Sequence, residues 1–336
     1  MRATVSDIAR ITGLSVGTIS RALDTTGRYR INKETRQRVR DVAKSVGYRP
    51  NLIGRALVAG STKQVALVSR APFTEYYTQL ASRFATYVAR DGYHVVSNLA
   101  EQLVGQEGLP DLLAQDWLFS VDGFLLCDPS RWRDEFIQHA IDLQIPVVGL
   151  GAVGWSGADS VRLDIHTPSI DLLEHVISYG RKAIVMVTDE GSYAESRGDA
   201  FRTVMSAHNL EARIRKIEHH DRASGRQAAL DEIAEFGPPE MFFCVNDAVA
   251  IGCACGIAEA GLRVPEDVGI AGCDGIEASE FLPCPLTTIV QPYSEACAKA
   301  WEFLKSRIDG YDGPHREVTL GARLALRKST AFQRAV

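Results

Sequence analysis

Apolar residues in the first sixty positions recur at helical spacing, and from about residue 63 they collect into short continuous runs. In the first stretch Ile8, Ala9 and Ile11 share a face that Ser6 is placed to cap and Gly13 to end. Ser15 is placed to cap a second helix whose buried face is Ile19 and Leu23. Ala9 is small enough for a close crossing and Gly13 tolerates the positive φ of a tight turn, so the pair predicts a helix-turn-helix. Taken alone, these residues also fit an ordinary helical hairpin. A third helix is predicted over about 32–46, with Val39, Val42 and Val46 on its apolar face and Gly47 as its stop. Lys33, Arg36, Arg38, Arg40 and Lys44 fall on its other face. Tyr48, Arg49, Pro50 and Asn51 follow, then a short helical stretch through Leu57 that ends at Gly60.

After Lys63 the runs predict strands at 65–68, 94–97, 123–126, 147–149, 183–187, 213–217, 241–245 and 268–271. Helical stretches such as 77–90 and 248–260 separate most of them. Apolar strands with helical crossovers imply buried parallel sheets, hence doubly wound α/β lobes. Ligands of such sheets sit beyond the C-terminal strand ends, which points to loops near Phe73, Asp128, Arg197, Asn246 and Asp274.

The length of 336 residues suits two or three domains. No apolar stretch is long enough to span a bilayer, and the first residues lack the apolar core of a signal peptide. A cytoplasmic protein without membrane partners is therefore expected. The seven cysteines have no paired spacing, and Cys253 and Cys255, two apart on a helix, face different ways. No metal and no cofactor are expected. The net charge of −5 conceals an asymmetry: residues 1–60 hold 12 Lys/Arg against 4 Asp/Glu, and the rest holds 25 against 38. A basic head on an acidic body fits a head that meets a polyanion, although a merely solvated basic surface has the same composition.

Three motifs in this order carry a resemblance: Leu14-Ser15-Val16-Gly17-Thr18-Ile19-Ser20-Arg21-Ala22-Leu23, Thr35-Arg36, and Gly47-Tyr48-Arg49-Pro50-Asn51. With them the chain resembles the lactose/galactose repressor (LacI-type) family of bacterial transcriptional regulators, from Thr4 to about Thr330. The resemblance implies a second helix in the major groove, with Val16, Gly17, Ser20 and Arg21 near base edges. Arg21 has the fork for guanine O6 and N7, and Val16 suits a thymine methyl. Thr18 and Thr35 are expected on phosphates, and Ser6 and Asn51 join the DNA-facing set. The segment after Asn51 is implied to be a hinge helix that wedges Leu57 into the minor groove. Gly54 replaces the family's usual alanine, which costs a helix about 1 kcal/mol and implies a hinge more dependent on DNA. The expected division is a DNA-binding domain at 1–49, a hinge at 50–62 and a two-lobed body at 63–330. Its lobes are 63–161 plus 291–323 and 162–290 plus 324–330.

The body is similar to the family's periplasmic-binding-protein-like one through Asn246-Asp247-Ala248, 261–268, Gly272-Cys273-Asp274-Gly275, 285–289 and Arg327-Lys328-Ser329-Thr330. Positions that hold sugar hydroxyls in the family carry Arg197, Asn246 and Asp274 here, with Gln291 at a further cleft position. Donors and acceptors together suit vicinal hydroxyls. Each residue also has an ordinary alternative: Asn246 and Asp247 as helix caps, Asp274 as a turn former, Arg197 in a structural ion pair. His220 stands where many members place a stacking ring, and Phe73 with Tyr76 or Tyr77 offers an aromatic face instead. Asp164-Ile165 replaces the usual Asp-Asn. The implied protein is a repressor that binds a palindromic operator as a homodimer and responds to a small polar effector, a sugar foremost. Alternatives are a sugar-binding transport protein or a sensor of a nucleoside or phosphorylated metabolite. No motif for phosphate cradling, acyl transfer or metalloprotease chemistry is present, so no catalytic residues are expected.

Overall fold

The computed structural model describes residues 3–24, 29–49, 60–69, 74–99, 120–127, 133–152, 157–190 and 196–332. The expectations for Asn51, Gly54, Leu57, Phe73 and Asp128 lie outside the described residues. The chain divides into two compact units, Met1–Thr62 and Lys63–Val336.

The first unit holds α1 (Val5–Thr12), α2 (Val16–Leu23) and α3 (Lys33–Ser45). Thr4, and not Ser6, caps α1. Its hydroxyl accepts from the Asp7 amide at 3.3 Å, and Asp7 Oδ2 accepts from the Thr4 amide at 3.0 Å. This reciprocal box satisfies two orphan donors at once. Gly13 ends α1 at φ 71°, and Ser15 caps α2 through the Thr18 amide at 3.2 Å. Ile8, Ile19, Ala22, Val39 and Ala43 form the core of this unit. Ile11 does not join them and is 52% exposed. Thr12, one helical turn beyond Ile8, takes the inner place by folding its hydroxyl onto the Ile8 carbonyl at 2.7 Å. Two arginines expected on the outer face of α3 turn to the protein instead. Arg36 donates to the Asp24 and Tyr29 carbonyls, and Arg38 donates to that of Thr12. Carbonyls left open at helix ends and in loops need such donors.

The second unit contains two six-stranded sheets. The first is built from β1 (Gln64–Ser69), β2 (His94–Leu99), β3 (Phe124–Cys127), β4 (Val147–Gly151), β5 (Asp159–Asp164) and β11 (Glu317–Gly321), in the order β11-β5-β4-β3-β1-β2, all parallel. The second is built from β6 (Ile184–Thr188), β7 (Arg213–Lys216), β8 (Met241–Cys244), β9 (Gly269–Asp274), β10 (Thr287–Val290) and β12 (Arg323–Ala325). Its order is β12-β10-β9-β8-β6-β7, and β12 alone runs antiparallel. Among the described residues the helices of the body are α4 (Glu75–Arg90), α5 (Arg133–Asp142), α6 (His166–Ser178), α7 (Ser196–Ala207), α8 (Arg222–Phe236), α9 (Asp247–Glu259) and α10 (Tyr293–Ile308). Helices α4 and α10 pack on the first sheet around Phe84, Trp301 and Leu304. Helices α6 and α7 cover one face of the second sheet around Leu172 and Phe201, and α9 lies against the other. The chain passes between lobes after Asp164, at Gln291–Pro292 and at Ala322.

All eight strands read from the sequence are present, and six of them, β1, β3, β4, β6, β8 and β9, are buried on both faces. Strands β5, β10, β11 and β12 were not read from the sequence; β10 is buried but opens on two threonines. In β5 the reason is Asp159, which is fully buried and holds two arginines. Arg307 donates to both its oxygens at 2.9 and 3.0 Å, and the Arg316 amide donates at 2.8 Å. The pairing ties the end of α10 and the start of β11 to β5. Helices α8 and α9 meet backbone to backbone: a Cβ on Gly252 would lie 2.0 Å from the Arg222 carbonyl, and one on Gly225 2.2 Å from that of Val249. This contact fixes the start of α9 beside the loop that ends in α8. The closing motif stitches β9 and β10, since Ser329 accepts from the Thr287 amide and donates to the Ile270 carbonyl.

Burial acts to raise the Asp159 pKa, but the Arg307 and Arg316 hydrogen bonds outweigh it and hold the value at about 2. Because this lies below the unfolded value of 3.8, the contribution to stability is present above pH 4 and is lost as pH falls toward 2. Asp159→Asn is expected to lower unfolding free energy by about 3 kcal/mol in urea titrations near pH 7. The gap between variant and parent should narrow below pH 4; a gap unchanged down to pH 2 overturns the assignment.

Candidate functional site

The turn between α1 and α2 presents one face of α2 to solvent. Val16 is 49% exposed, and Gly17, Ser20 and Arg21 are exposed as well. Thr18 is half-buried with its hydroxyl 2.9 Å from that of Ser15, and Thr35 is half-buried at the start of α3. Ser6 is exposed in the first turn of α1. This face combines an apolar methyl pair, a backbone without a side chain, a hydroxyl and a guanidinium, the groups that read base edges in a major groove.

In the body, strand ends gather the polar residues singled out in the sequence. Asp274 ends β9, Gln291 follows β10, Asn246 follows β8, and Arg197 lies in the first turn of α7. Asp274 Oδ1 accepts from Gln291 Nε2 at 2.9 Å, and the Gln291 Oε1 accepts from the Tyr76 hydroxyl at 3.2 Å. The Asp274 carbonyl accepts from the Tyr293 hydroxyl at 2.9 Å. A hydrogen-bonded chain thus runs from α4 of the first lobe to β9 of the second. Arg197 Nη1 lies 3.4 Å from Cys273 Sγ, one residue from Asp274. Glu75 adds a second bridge between lobes, accepting from the Ala278 amide at 3.1 Å and facing Arg222 at 3.6 Å.

Asn246 does cap α9: its Oδ1 accepts from the Val249 amide at 2.8 Å, and its Nδ2 donates to the His220 carbonyl at 3.2 Å. The cap leaves one lone pair and one N–H of the amide for other partners. His220 is half-buried, with Nε2 3.1 Å from Asp189 Oδ1 but off the line of a good hydrogen bond. Tyr77 packs into the core of the first lobe, so of the two neighbouring tyrosines Tyr76 is the one that reaches Gln291. Sequence reasoning missed Asp189, Tyr293 and Glu75. Asp189 directly follows β6 and was open to the strand-end rule, whereas Tyr293 and Glu75 carry no local signal.

Asp247 lies beneath this layer. Its Oδ2 accepts from the Gly275 and Ile276 amides at 2.8 and 2.9 Å, and its Oδ1 from the Thr288 hydroxyl at 2.5 Å. Burial pushes its pKa up to about 6 against the pull of these donors.

A helix-turn-helix unit joined to two doubly wound lobes, with donors and acceptors gathered at their strand ends, is the architecture of a ligand-responsive DNA-binding regulator. Residues 4–51 match the bacterial regulatory proteins of the lacI family, and residues 173–330 match the periplasmic binding protein-like domain. The HTH-type transcriptional repressor PurR of Histophilus somni (strain 129Pt) is 27% identical, and so is the ribose operon repressor of Haemophilus influenzae; each alignment covers 97% of this chain and 98% of the relative. The lac repressor dimer bound to operator and the anti-inducer ONPF superposes with a TM-score of 0.82 at 22% identity, covering 98% of this chain and 99% of that one. The chain carries a lacI-family DNA-binding region and a periplasmic binding protein-like domain, and the relatives it matches over nearly its whole length are transcriptional repressors, not enzymes. Among the described residues no helix is long and apolar enough to cross a membrane.

Removing the Asp247 carboxylate orphans two amides and a hydroxyl, so Asp247→Ala is expected to cost about 3 kcal/mol. Asp247→Asn keeps an acceptor for the amides and should cost less. Since the folded pKa of Asp247 exceeds the unfolded value of 3.8, its stabilising contribution is full below pH 4 and is lost as pH rises through about 6. The parent should therefore lose stability relative to Asp247→Asn between pH 4 and 7. Parallel melting curves across that range contradict the assignment.

Proposed function

We propose that this chain is a repressor that binds a two-fold DNA operator as a homodimer in the cytoplasm and changes its operator affinity when a hydroxyl-rich small molecule enters the cleft. The observation that carries this reading is the gathering of Arg197, Asn246, Asp274 and Gln291 around strand ends between two lobes. Arg donates, Asp accepts and the two amides do both, which matches a neutral polyol such as a sugar. The name of the ribose operon repressor supports the same class. On this reading α2 enters the major groove, with Val16 and Arg21 on base edges, Ser20 beside them, and Ser6, Thr18 and Thr35 at the backbone. Asn51 and Leu57 remain the proposed hinge contacts. His220 and Tyr76 flank the effector, and Phe73 and Asp128 join from the first lobe. The proposed division into head, hinge and body keeps the boundaries stated above.

Allostery requires that the effector bind two lobe arrangements with different affinity. The Tyr76–Gln291–Asp274 chain and the Glu75 bridge are contacts between the lobes that such a change can remake. A two-fold operator requires paired heads, so sedimentation should give about twice the 36.7 kDa of the chain. A monomer that still binds operator tightly contradicts the dimer.

The effector is sought by thermal unfolding of the purified chain across sugars and other polar metabolites. A ligand at a hundredfold excess over its Kd stabilises the fold by about 2.7 kcal/mol. One sugar should raise the midpoint strongly, and Arg197→Ala and Asp274→Ala should abolish the shift. A shift with a nucleoside or a phosphorylated metabolite alone replaces the sugar with that class.

A further inference from the structure

Tyr29 is the aromatic residue of the head that neither the core nor the expected DNA-facing set uses. It lies on the connection between α2 and α3 and is 41% exposed. Tyr48, by contrast, packs against the core of the head. The Arg21 guanidinium carbon sits over the Tyr29 ring, 5.7 Å from its centroid. The connection is anchored at this point: Arg36 donates through one nitrogen to the Asp24 carbonyl and through another to that of Tyr29, each at 2.9 Å. The backbone that carries the ring is therefore fixed to α3, while Arg21 stands on α2.

From this geometry we propose that Tyr29 is a positioning residue for base readout, holding Arg21 ready to meet a guanine edge. The inference rests on the operator-binding reading. A free arginine samples many rotamers, and binding through it must restrict them. A cation–π contact with the Tyr29 ring restricts the guanidinium beforehand, and a bidentate base contact then needs only its N–H edge. An exposed contact of this kind is worth a factor of about two to five in affinity.

The test uses the full-length chain. An operator is selected from randomised duplex DNA with the parent protein, and affinities are then measured by fluorescence anisotropy for that operator and for each single base-pair change. Tyr29→Leu should weaken operator binding about two- to fivefold and flatten the preference at one base pair per half-site. That base pair should be the one flattened by Arg21→Ala. Tyr29→Phe and Tyr29→Trp should bind as the parent does, since the ring and not the hydroxyl does the work, and their retention guards against a misfolded head. In an Arg21→Ala background Tyr29→Leu should have no further effect, and the salt slope should match the parent's. Equal loss on every sequence, an additive effect with Arg21→Ala, or a Phe variant as weak as Leu each overturns the inference. If the parent selects an operator and Tyr29→Leu reads it unchanged, this inference alone falls. If the parent selects no sequence, the operator-binding reading falls and takes this one with it.

Discussion

Asp274 holds φ at 135°, a conformation that L residues rarely adopt and that costs of the order of 1–3 kcal/mol. Such a residue persists only where its neighbours over-determine it, and here they do so from both sides. The Tyr293 hydroxyl and the Gln291 amide hold the carbonyl of Asp274, and Asp247 grips the next two amides from below. The strain places the Asp274 carboxylate at the end of β9, where Gln291 meets it. Asp247 is itself the first residue of α9, next to the Asn246 cap. One buried carboxylate therefore couples the turn that carries Asp274 to the helix start that carries Asn246. The α8–α9 contact through Gly225 and Gly252 then holds that helix start beside His220.

The head obeys a different economy of charge. It has many more basic than acidic residues, yet Arg36 and Arg38 are committed to carbonyls of its own backbone. These two arginines connect α3 to the ends of α1 and α2, work that the small core of Ile8, Ile19 and Val39 shares. The basic excess is thus partly architecture. What stays outward on α2 is a short chemical phrase of Val16, Gly17, Ser20 and Arg21, and a surface of mixed type reads bases better than a uniformly cationic one.

How much of this was legible depends on where the partner of each group lies. Strands buried on both faces announce themselves, so the parallel sheets were readable from runs such as Val65 to Val68. Strand β5 was hidden because Asp159 is made tolerable in the interior by arginines about 150 residues away. The same distance rule applies at the sites. Arg197, Asn246 and Asp274 were singled out by resemblance and by the strand-end rule, and Gln291 by resemblance, but the grip of Asp247 on Gly275 depends on contacts between distant segments. Ser6 was favoured as a cap on residue type, and Thr4 prevails because Asp7 stands where it completes a reciprocal box.

On the proposed function, the network at Asp274 also bears on what an effector must offer. In this structure the Gln291 amide already donates to the carboxylate, and Tyr76 donates to Gln291. A ligand that engages Asp274 therefore competes with a neutral donor supplied by the protein, and it must bring a donor of its own. An anionic group at that point would meet a carboxylate instead of a partner, a like-charge contact that binding has to overcome. A hydroxyl supplies the donor and keeps an acceptor for Arg197, which reaches Cys273 beside Asp274. If it displaces Gln291, the contact from Tyr76 is freed at the same time, so the chemistry that recognises the ligand is physically the chemistry that joins the lobes. Recognition and conformational response are then one exchange of hydrogen bonds, with the strength of the coupling set by how unequally the two lobe arrangements reward it.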